Sequence, residues 1–210
     1  LPVASPTTSK KAKLALLQLA AFHGWKFERA DAKSTFLQAG HTKEWRRHYM
    51  KGVKELRTAL GVDEEEALRT LAAIYSITNV PWTFWKYADQ QIHLAGGKGI
   101  MIEPCVWIVL DNTDKVVGAI GAHMDDFGIS GDHDSQAYLN VRKTLSEVLK
   151  WSPCQATPCA WAGMWVSQEL DGKIYSGQKR YCQQLEEIRL DFSKYQCKNE
   201  KLQPEDAIQF

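Results

Sequence analysis

Gly118-Ala-Ile-Gly-Ala-His-Met-Asp-Asp-Phe-Gly-Ile-Ser130 is the stretch on which the reading of this chain turns. Small and apolar residues flank Asp125-Asp126 on both sides, which predicts a strand, a tight turn and a returning strand with two carboxylates at the tip. Like charges crowded there repel, and their burial is costly without a cation or a basic partner. A divalent metal is the natural compensation, and hard oxygen ligands favour magnesium or manganese over zinc. A third carboxylate, Asp31, ends a comparable run, Trp25-Lys-Phe-Glu-Arg-Ala-Asp31. Three acids converging at strand ends are the minimum equipment of a two-metal phosphoryl-transfer site. An isolated Asp-Asp pair also suits a solvated turn, so the rest of the chain has to decide.

On either side of that stretch, helical and strand patterns alternate. Lys10 to Phe22 carries Leu14, Leu16, Leu17, Leu19, Ala20 and Phe22, which predicts a helix capped by Ser9 and stopped at His23-Gly24. A strand to Asp31 follows, then a short helical turn from Ser34 to Leu37. Pro81 opens a helix through Leu94, a favourable place for proline, and Gly96-Gly97-Lys-Gly99 is expected to be a flexible loop. Cys105 to Leu110 and Val116 to His123 read as a hairpin across Asp111-Asn-Thr-Asp-Lys115. Ala137 to Leu149 is amphipathic, with Val141, Leu145, Val148 and Leu149 on one side. Trp161 to Val166, a turn at Asp171-Gly172 and Ile174 to Ser176 predict another hairpin, with a final helix from Gln178 and a polar tail after Phe192. Lys43-Glu-Trp-Arg-Arg-His-Tyr-Met-Lys51 mixes bases with aromatics, as a nucleic-acid contact strip or a solvated face would.

With 210 residues, 44% of them hydrophobic, the chain can bury a real core in one or two units. A net charge of +1 sets up no global basic field, although an enzyme can concentrate positive charge in one cleft. No apolar run approaches a membrane span. The opening Leu1-Pro-Val-Ala-Ser-Pro-Thr-Thr-Ser9 has no signal-peptide pattern and reads like the middle of a longer polyprotein. Cys105, Cys154, Cys159, Cys182 and Cys197 are odd in number and form no zinc set, which fits reduced thiols of an intracellular protein.

Four blocks stand in a telling order: Ala30-Asp31-Ala-Lys-Ser-Thr-Phe-Leu-Gln38; Ile74-Tyr-Ser-Ile-Thr-Asn-Val-Pro-Trp-Thr-Phe-Trp85; His123-Met-Asp-Asp-Phe-Gly-Ile-Ser-Gly-Asp132; and Gly163-Met-Trp-Val-Ser-Gln168 with Asp171-Gly-Lys-Ile-Tyr-Ser-Gly-Gln-Lys-Arg-Tyr181. In order and spacing they resemble the reverse transcriptase region of copia-type long-terminal-repeat retrotransposons. That family runs Asp-Val-Lys-x-Ala-Phe-Leu, Leu-Tyr-Gly-Leu-x-x-x-Pro-x-x-Trp, Tyr-Val-Asp-Asp, then a Phe-x-Gly-x-x-Ile block and a Gln-x-x-Tyr helix. The resemblance extends from about Ser5 to about Ile188, nearly the whole chain.

The resemblance implies an α+β fold: a reverse-transcriptase-like palm with an antiparallel sheet backed by helices, part of the fingers, and no thumb. Residues 1–192 would form this unit and 193–210 a polar tail or linker. It implies RNA-directed DNA polymerase activity with two magnesium (or manganese) ions. Asp31 and Asp125 would bridge them, the Ala32 carbonyl would add a ligand, and Asp126 would stand beside them mainly as support. Lys33, Ser34 and Thr35 would hold the triphosphate through their backbone N–H groups, and Phe36 would gate the sugar. Trp161, Gly163 and Trp165 would grip the primer end. The helix opening at Pro81 would lie under the templating base. Partners would be an RNA or DNA template, a primer, deoxynucleoside triphosphates and the rest of the polyprotein, in the cytoplasm within virus-like particles and with no membrane.

Departures from the family pattern accompany the match. Ser76 stands for a glycine, Trp82 for a basic residue after proline, Ala72-Ala73 where a base often precedes, and His123 for the tyrosine before Asp-Asp. The upstream basic fingers strand is missing from the piece. The expectation is a chain that folds as a palm yet polymerises poorly by itself, or a decayed copy. Two other readings stand beside it. One is an inactive domain that keeps the fold and binds nucleic acid. The other is a metal-dependent phosphohydrolase built on His123, Asp125, Asp126, His133 and Asp134.

Overall fold

The computed structural model of the protein describes residues 6–38, 49–63, 65–69 and 80–185, without the side chains of Phe36, Lys179 and Arg180. Outside the described residues lie Lys43 to His48 of the mixed basic strip, Ala72 to Asn79 with Ser76, and the tail beyond Leu185. In chain order the elements are α1 (Lys10–His23), β1 (Lys26–Asp31), α2 (Thr35–Gln38), β2 (Tyr49–Lys51), α3 (Lys54–Leu60), β3 (Ala67–Arg69), α4 (Val80–Leu94), β4 (Gly97–Ile100) and β5 (Glu103–Leu110). They continue with β6 (Val116–His123), β7 (Asp126–Gly131), α5 (Gln136–Val148), β8 (Gln155–Ala156), β9 (Cys159–Trp161), β10 (Met164–Gln168), β11 (Ile174–Gly177) and α6 (Lys179–Gln184). Contacts divide the chain into Leu1–Gly177 and Gln178–Phe210, the second unit containing α6. No helix among the described residues is long and apolar enough to cross a membrane.

The first unit is mixed α+β, built on an antiparallel six-stranded sheet in the order β4-β5-β6-β7-β1-β8, with a three-stranded sheet β11-β10-β9 and a small β2-β3 pair. Strand alternation splits the apolar residues between two faces. On one face α4 and α5 bury Phe84, Ile92, Tyr138 and Leu145 against Trp107, Ile120, Phe127 and Ile129. On the other, Leu16 and Leu17 of α1 pack with Phe27, Ala119, Trp161 and Val166. Helix α1 starts where the Ser9 hydroxyl accepts from the Ala12 N–H at 3.1 Å. It stops at Gly24, whose φ of 67° lets its N–H reach the last carbonyls.

Two cross-strand glycine pairs make this two-faced packing feasible. In the β6–β7 ladder Gly118 lies opposite Gly131, and Gly121 opposite Gly128. A Cβ on Gly118 would stand 2.5 Å from the Tyr138 ring on one face, and one on Gly128 would stand 2.5 Å from the Trp161 ring on the other. Each pair is therefore the seat of one fully buried ring.

Two expectations need correction. Gly96 to Gly99 is not a loop: Gly97–Ile100 is the edge strand β4, paired with β5. Its glycines serve close approach, since a Cβ on Gly97 would lie 2.5 Å from Ile92. Nor is Trp161 to Val166 one strand. Ala162 and Gly163, with φ of 48° and 80°, turn the chain tightly between β9 and β10.

Gly128→Ala should destabilise the fold by about 1–3 kcal/mol, because neither Trp161 nor Phe27 has room to retreat. Gly177→Ala, with nothing within 4 Å of the added methyl, should stay within about 0.5 kcal/mol of wild type. Chemical denaturation of both variants checks the contrast.

Candidate active site

Pairing of β1 with β7 sets Asp31 directly opposite Asp126. Pairing of β6 with β7 sets His123 opposite Asp126, leaving Met124 and Asp125 as a two-residue loop. The Ala32 N–H donates to the Asp125 carbonyl at 2.9 Å. All three acids thus stand at one end of the six-stranded sheet. Ser152 clamps the end of β1, its hydroxyl accepting from the Asp31 N–H at 3.2 Å and its N–H donating to the Asp31 carbonyl at 2.8 Å. Met124 has a φ of 61° at the first loop position, where a hairpin with positive φ ordinarily takes glycine.

Carboxylates directly opposed across two strands repel. Arg29, two residues before Asp31 and therefore on the same strand face, answers that repulsion. Its Nε donates to Asp126 Oδ1 at 2.5 Å, Nη2 to Asp31 Oδ1 at 3.3 Å, and Nη1 to Gln155 Oε1 at 3.3 Å. Burial works against the guanidinium charge, but the Asp126 hydrogen bond and the charges of Asp126 and Asp31 outweigh it and raise the Arg29 pKa. The second oxygen of Asp126 accepts from the Ala162 N–H at 2.8 Å, and the Trp161 indole N–H donates to the Asp126 carbonyl at 3.3 Å. Asp126 therefore has neither carboxylate oxygen free.

Asp31 and Asp125 are placed differently. Burial, then the negative charge of Asp125, raise the Asp31 pKa, and Arg29 offsets them only in part. Asp125 is exposed at the tip, and no described residue hydrogen-bonds its carboxylate. Lys13 donates to the Ala162 carbonyl at 3.0 Å. Burial lowers its pKa against the pull of Asp126. His123 titrates below the ordinary value through burial and the Lys13 charge, and its buried Nδ1 has no partner.

The remaining sequence-predicted residues fall around this end. The Ala32 carbonyl accepts from the Thr35 hydroxyl at 2.7 Å, keeping one lone pair. The Lys33 N–H is engaged by the Lys150 carbonyl at 3.3 Å. Lys33 and Ser34 are exposed, Thr35 is buried, and the Phe36 side chain is outside the described set. Trp161 is a core residue, fully buried with its ring centroid 5.2 Å from that of Phe27. Gly163 is open to solvent in the turn that pins Asp126, and Trp165 is half-buried on β10. His133 and Asp134 follow the opposite end of β7, so the five-residue hydrolase set is not brought together. There the Asp134 N–H donates to Asp132 Oδ1 at 2.9 Å, and the His133 ring stands edge-on to Tyr138.

Among the described residues no three His, Cys, Asp or Glu groups stand in an arrangement that holds a metal ion. The donor chemistry is nevertheless that of a hard cation: the Asp31 and Asp125 carboxylates and the remaining lone pair of Ala32 fit magnesium or manganese. Asp126, each of whose oxygens already accepts a hydrogen bond, from Arg29 and from Ala162, is the acid of the three most engaged by the protein itself. Arg29, Lys13 and Ala162 are absent from the sequence-derived site. Of these, Arg29 carries a signal, since strand period 2 aligns it with Asp31. The chain matches no family model, no curated protein and no solved structure.

Two outcomes follow from the unequal roles of the acids. Asp126→Ala removes the shortest of the Arg29 contacts, leaving the guanidinium Asp31 and Gln155 at 3.3 Å, and leaves the Ala162 N–H unpartnered, at a site where Arg29 and Asp126 are 26% and 17% exposed. It should cost about 1.5–3 kcal/mol in denaturation, whereas Asp125→Ala should be near neutral. The Asp31 carboxyl, with its pKa raised by folding, binds its proton more tightly in the folded chain. The fold therefore loses stability as pH rises through the carboxylate range and carries that deficit at neutral pH. Asp31→Asn should raise the melting temperature at pH 7 in metal chelator, and the gain should vanish in acid.

Proposed function

We propose that the acidic sheet end is the catalytic centre of a nucleotidyl-transfer palm, acting as an RNA-directed DNA polymerase on a primer and an RNA or DNA template. In this reading β1, β6 and β7 with α4 and α5 form the palm, accompanied by part of the fingers. Asp31 and Asp125 hold magnesium, with the Ala32 carbonyl beside them. Magnesium bound there supplies activation of the primer 3′-hydroxyl and charge stabilisation at the leaving pyrophosphate. Asp126 orients the hairpin tip by fixing Arg29 and the Ala162 turn. The exposed Lys33-Ser34 segment next to Asp31 faces the incoming triphosphate, and the Ala162-Gly163 turn meets the primer.

The observation that carries the reading is where the backbone breaks local rules. Five described non-glycine residues have positive φ: Ser34, Asp114, Met124, Lys150 and Ala162. All but Asp114 lie in the segments around the acidic end. Ser34 follows Asp31 and Met124 precedes Asp125. Lys150 receives the Lys33 N–H, and Ala162 donates to Asp126. Backbone conformations of this kind cost of order 1 kcal/mol or more each and gather at functional sites. Met124 and Ala162 stand in two-residue hairpin loops and Lys150 just past the end of α5, where positive φ is usual, so the support lies in their gathering around the acids rather than in each conformation.

The assay is addition of deoxynucleotides to a labelled DNA primer on an RNA template in magnesium or manganese. Weak metal-dependent lengthening is the expected result for this chain by itself, and Asp125→Asn should reduce it about 100-fold or more, since metal charge stabilisation is worth several kcal/mol. Phosphate release without lengthening would identify a hydrolase instead. Template-primer binding without addition under either metal would leave a nucleic-acid-binding domain.

A further inference from the structure

Arg29 is built into the acidic end more firmly than a surface cation. Its three guanidinium nitrogens meet three acceptors, Asp126 on β7, Asp31 on its own β1 and Gln155 on β8. Around this fork α1 contributes Lys13, β6 contributes His123, β9 contributes Cys159, and the β6–β7 loop contributes Asp125. Lys13 acts on Asp126 through its charge while hydrogen-bonding the Ala162 carbonyl. Arg29 is thus the guanidinium in direct contact with two of the three acids. A divalent ion held between Asp31 and Asp125 would sit across the Asp31 carboxylate from this fixed positive charge, and the two cations repel.

We infer that Arg29 is a resident counter-ion that holds down the divalent-metal affinity of the acidic end, keeping the three-acid arrangement folded in the absence of metal. It is a positioning residue: it fixes Asp126 and one oxygen of Asp31 and touches no reacting atom. The inference rests on the metal-dependent reading above. Removing the guanidinium charge leaves Asp31 and Asp126 opposed with no cation in contact with both, Lys13 acting on Asp126 alone, and the site then draws a metal ion from solution more strongly.

Manganese titration followed by electron paramagnetic resonance on the full 210-residue chain tests this without an activity readout. Arg29→Gln should bind manganese about 10-fold more tightly than wild type, the size of effect one neighbouring unit charge exerts on a carboxylate. Arg29→Lys, which keeps the charge without the planar fork, should stay near wild type. A merely structural Arg29 would leave affinity unchanged or lower it in the glutamine variant, and that result overturns the inference while sparing the metal site. Absence of manganese binding in wild type and variant alike overturns both this inference and the metal-dependent reading. If the glutamine variant does not fold, the Arg29 Nε–H proton resonance of the wild type decides. It should stay downfield and slow to exchange as magnesium is added, and its collapse to the position of free arginine would refute the resident counter-ion.

Discussion

The geometry of the acidic end depends on two glycine pairs in one hairpin. A strand pair carrying ordinary side chains at Gly118, Gly121, Gly128 and Gly131 could not lie between Tyr138 on one face and Trp161 on the other. Removing four side chains from β6 and β7 costs backbone entropy in the folded state, and the two large buried rings supply the apolar area that offsets it. The consequence reaches the chemistry. Trp161, seated on Gly128, donates its indole N–H to the Asp126 carbonyl. The turn immediately after it gives the Ala162 N–H to the Asp126 carboxylate. Packing of a ring in the middle of the hairpin thus fixes an acid at its end.

Asp126 and Asp125 are neighbours in sequence with opposite physical situations. Strand alternation makes Asp126 a ladder residue facing Arg29, while Asp125 belongs to the loop and projects into solvent. Asp31, at the end of β1, is intermediate: held by Ser152 through its backbone, touched by Arg29 on one oxygen, and raised in pKa by burial and Asp125. An acid whose charge the fold disfavours is one the fold could replace with advantage to its own stability.

Much of this was readable from the chain because the relevant rules are local. Ser9 and Gly24 bracket α1, Pro81 marks the start of α4, and apolar runs on both sides of Asp125-Asp126 define the hairpin that the structure contains. Residues Gly96 to Gly99 misled because glycine is a poor strand former on propensity alone. Their use as an edge strand follows from the nearness of Ile92, a tertiary fact. The break between Trp161 and Met164 was hidden for a related reason, since Ala162 is not a residue that announces positive φ. The triad was legible as three acids at strand ends. What holds Asp126 in a different situation from the other two was not, because it arises from Arg29, Ala162 and Lys13, brought to Asp126 from across the sheet, from β9 and from α1.

Strain and charge at this end explain one another. Like carboxylates facing across β1 and β7 would push the strand ends apart, and Met124, Ser34, Lys150 and Ala162 hold positive φ in the segments around them. Arg29 converts that repulsion into attraction at Asp126, and the ladder closes to its last pair, Asp31 with Asp126. The sheet end can then keep its rule-breaking turns without a bound ion. If the acids take a divalent ion as proposed, the same guanidinium would oppose its arrival. On the counter-ion proposal, stability of the sheet end and affinity for a divalent ion would pull against each other through a single side chain, with the balance set at residue 29.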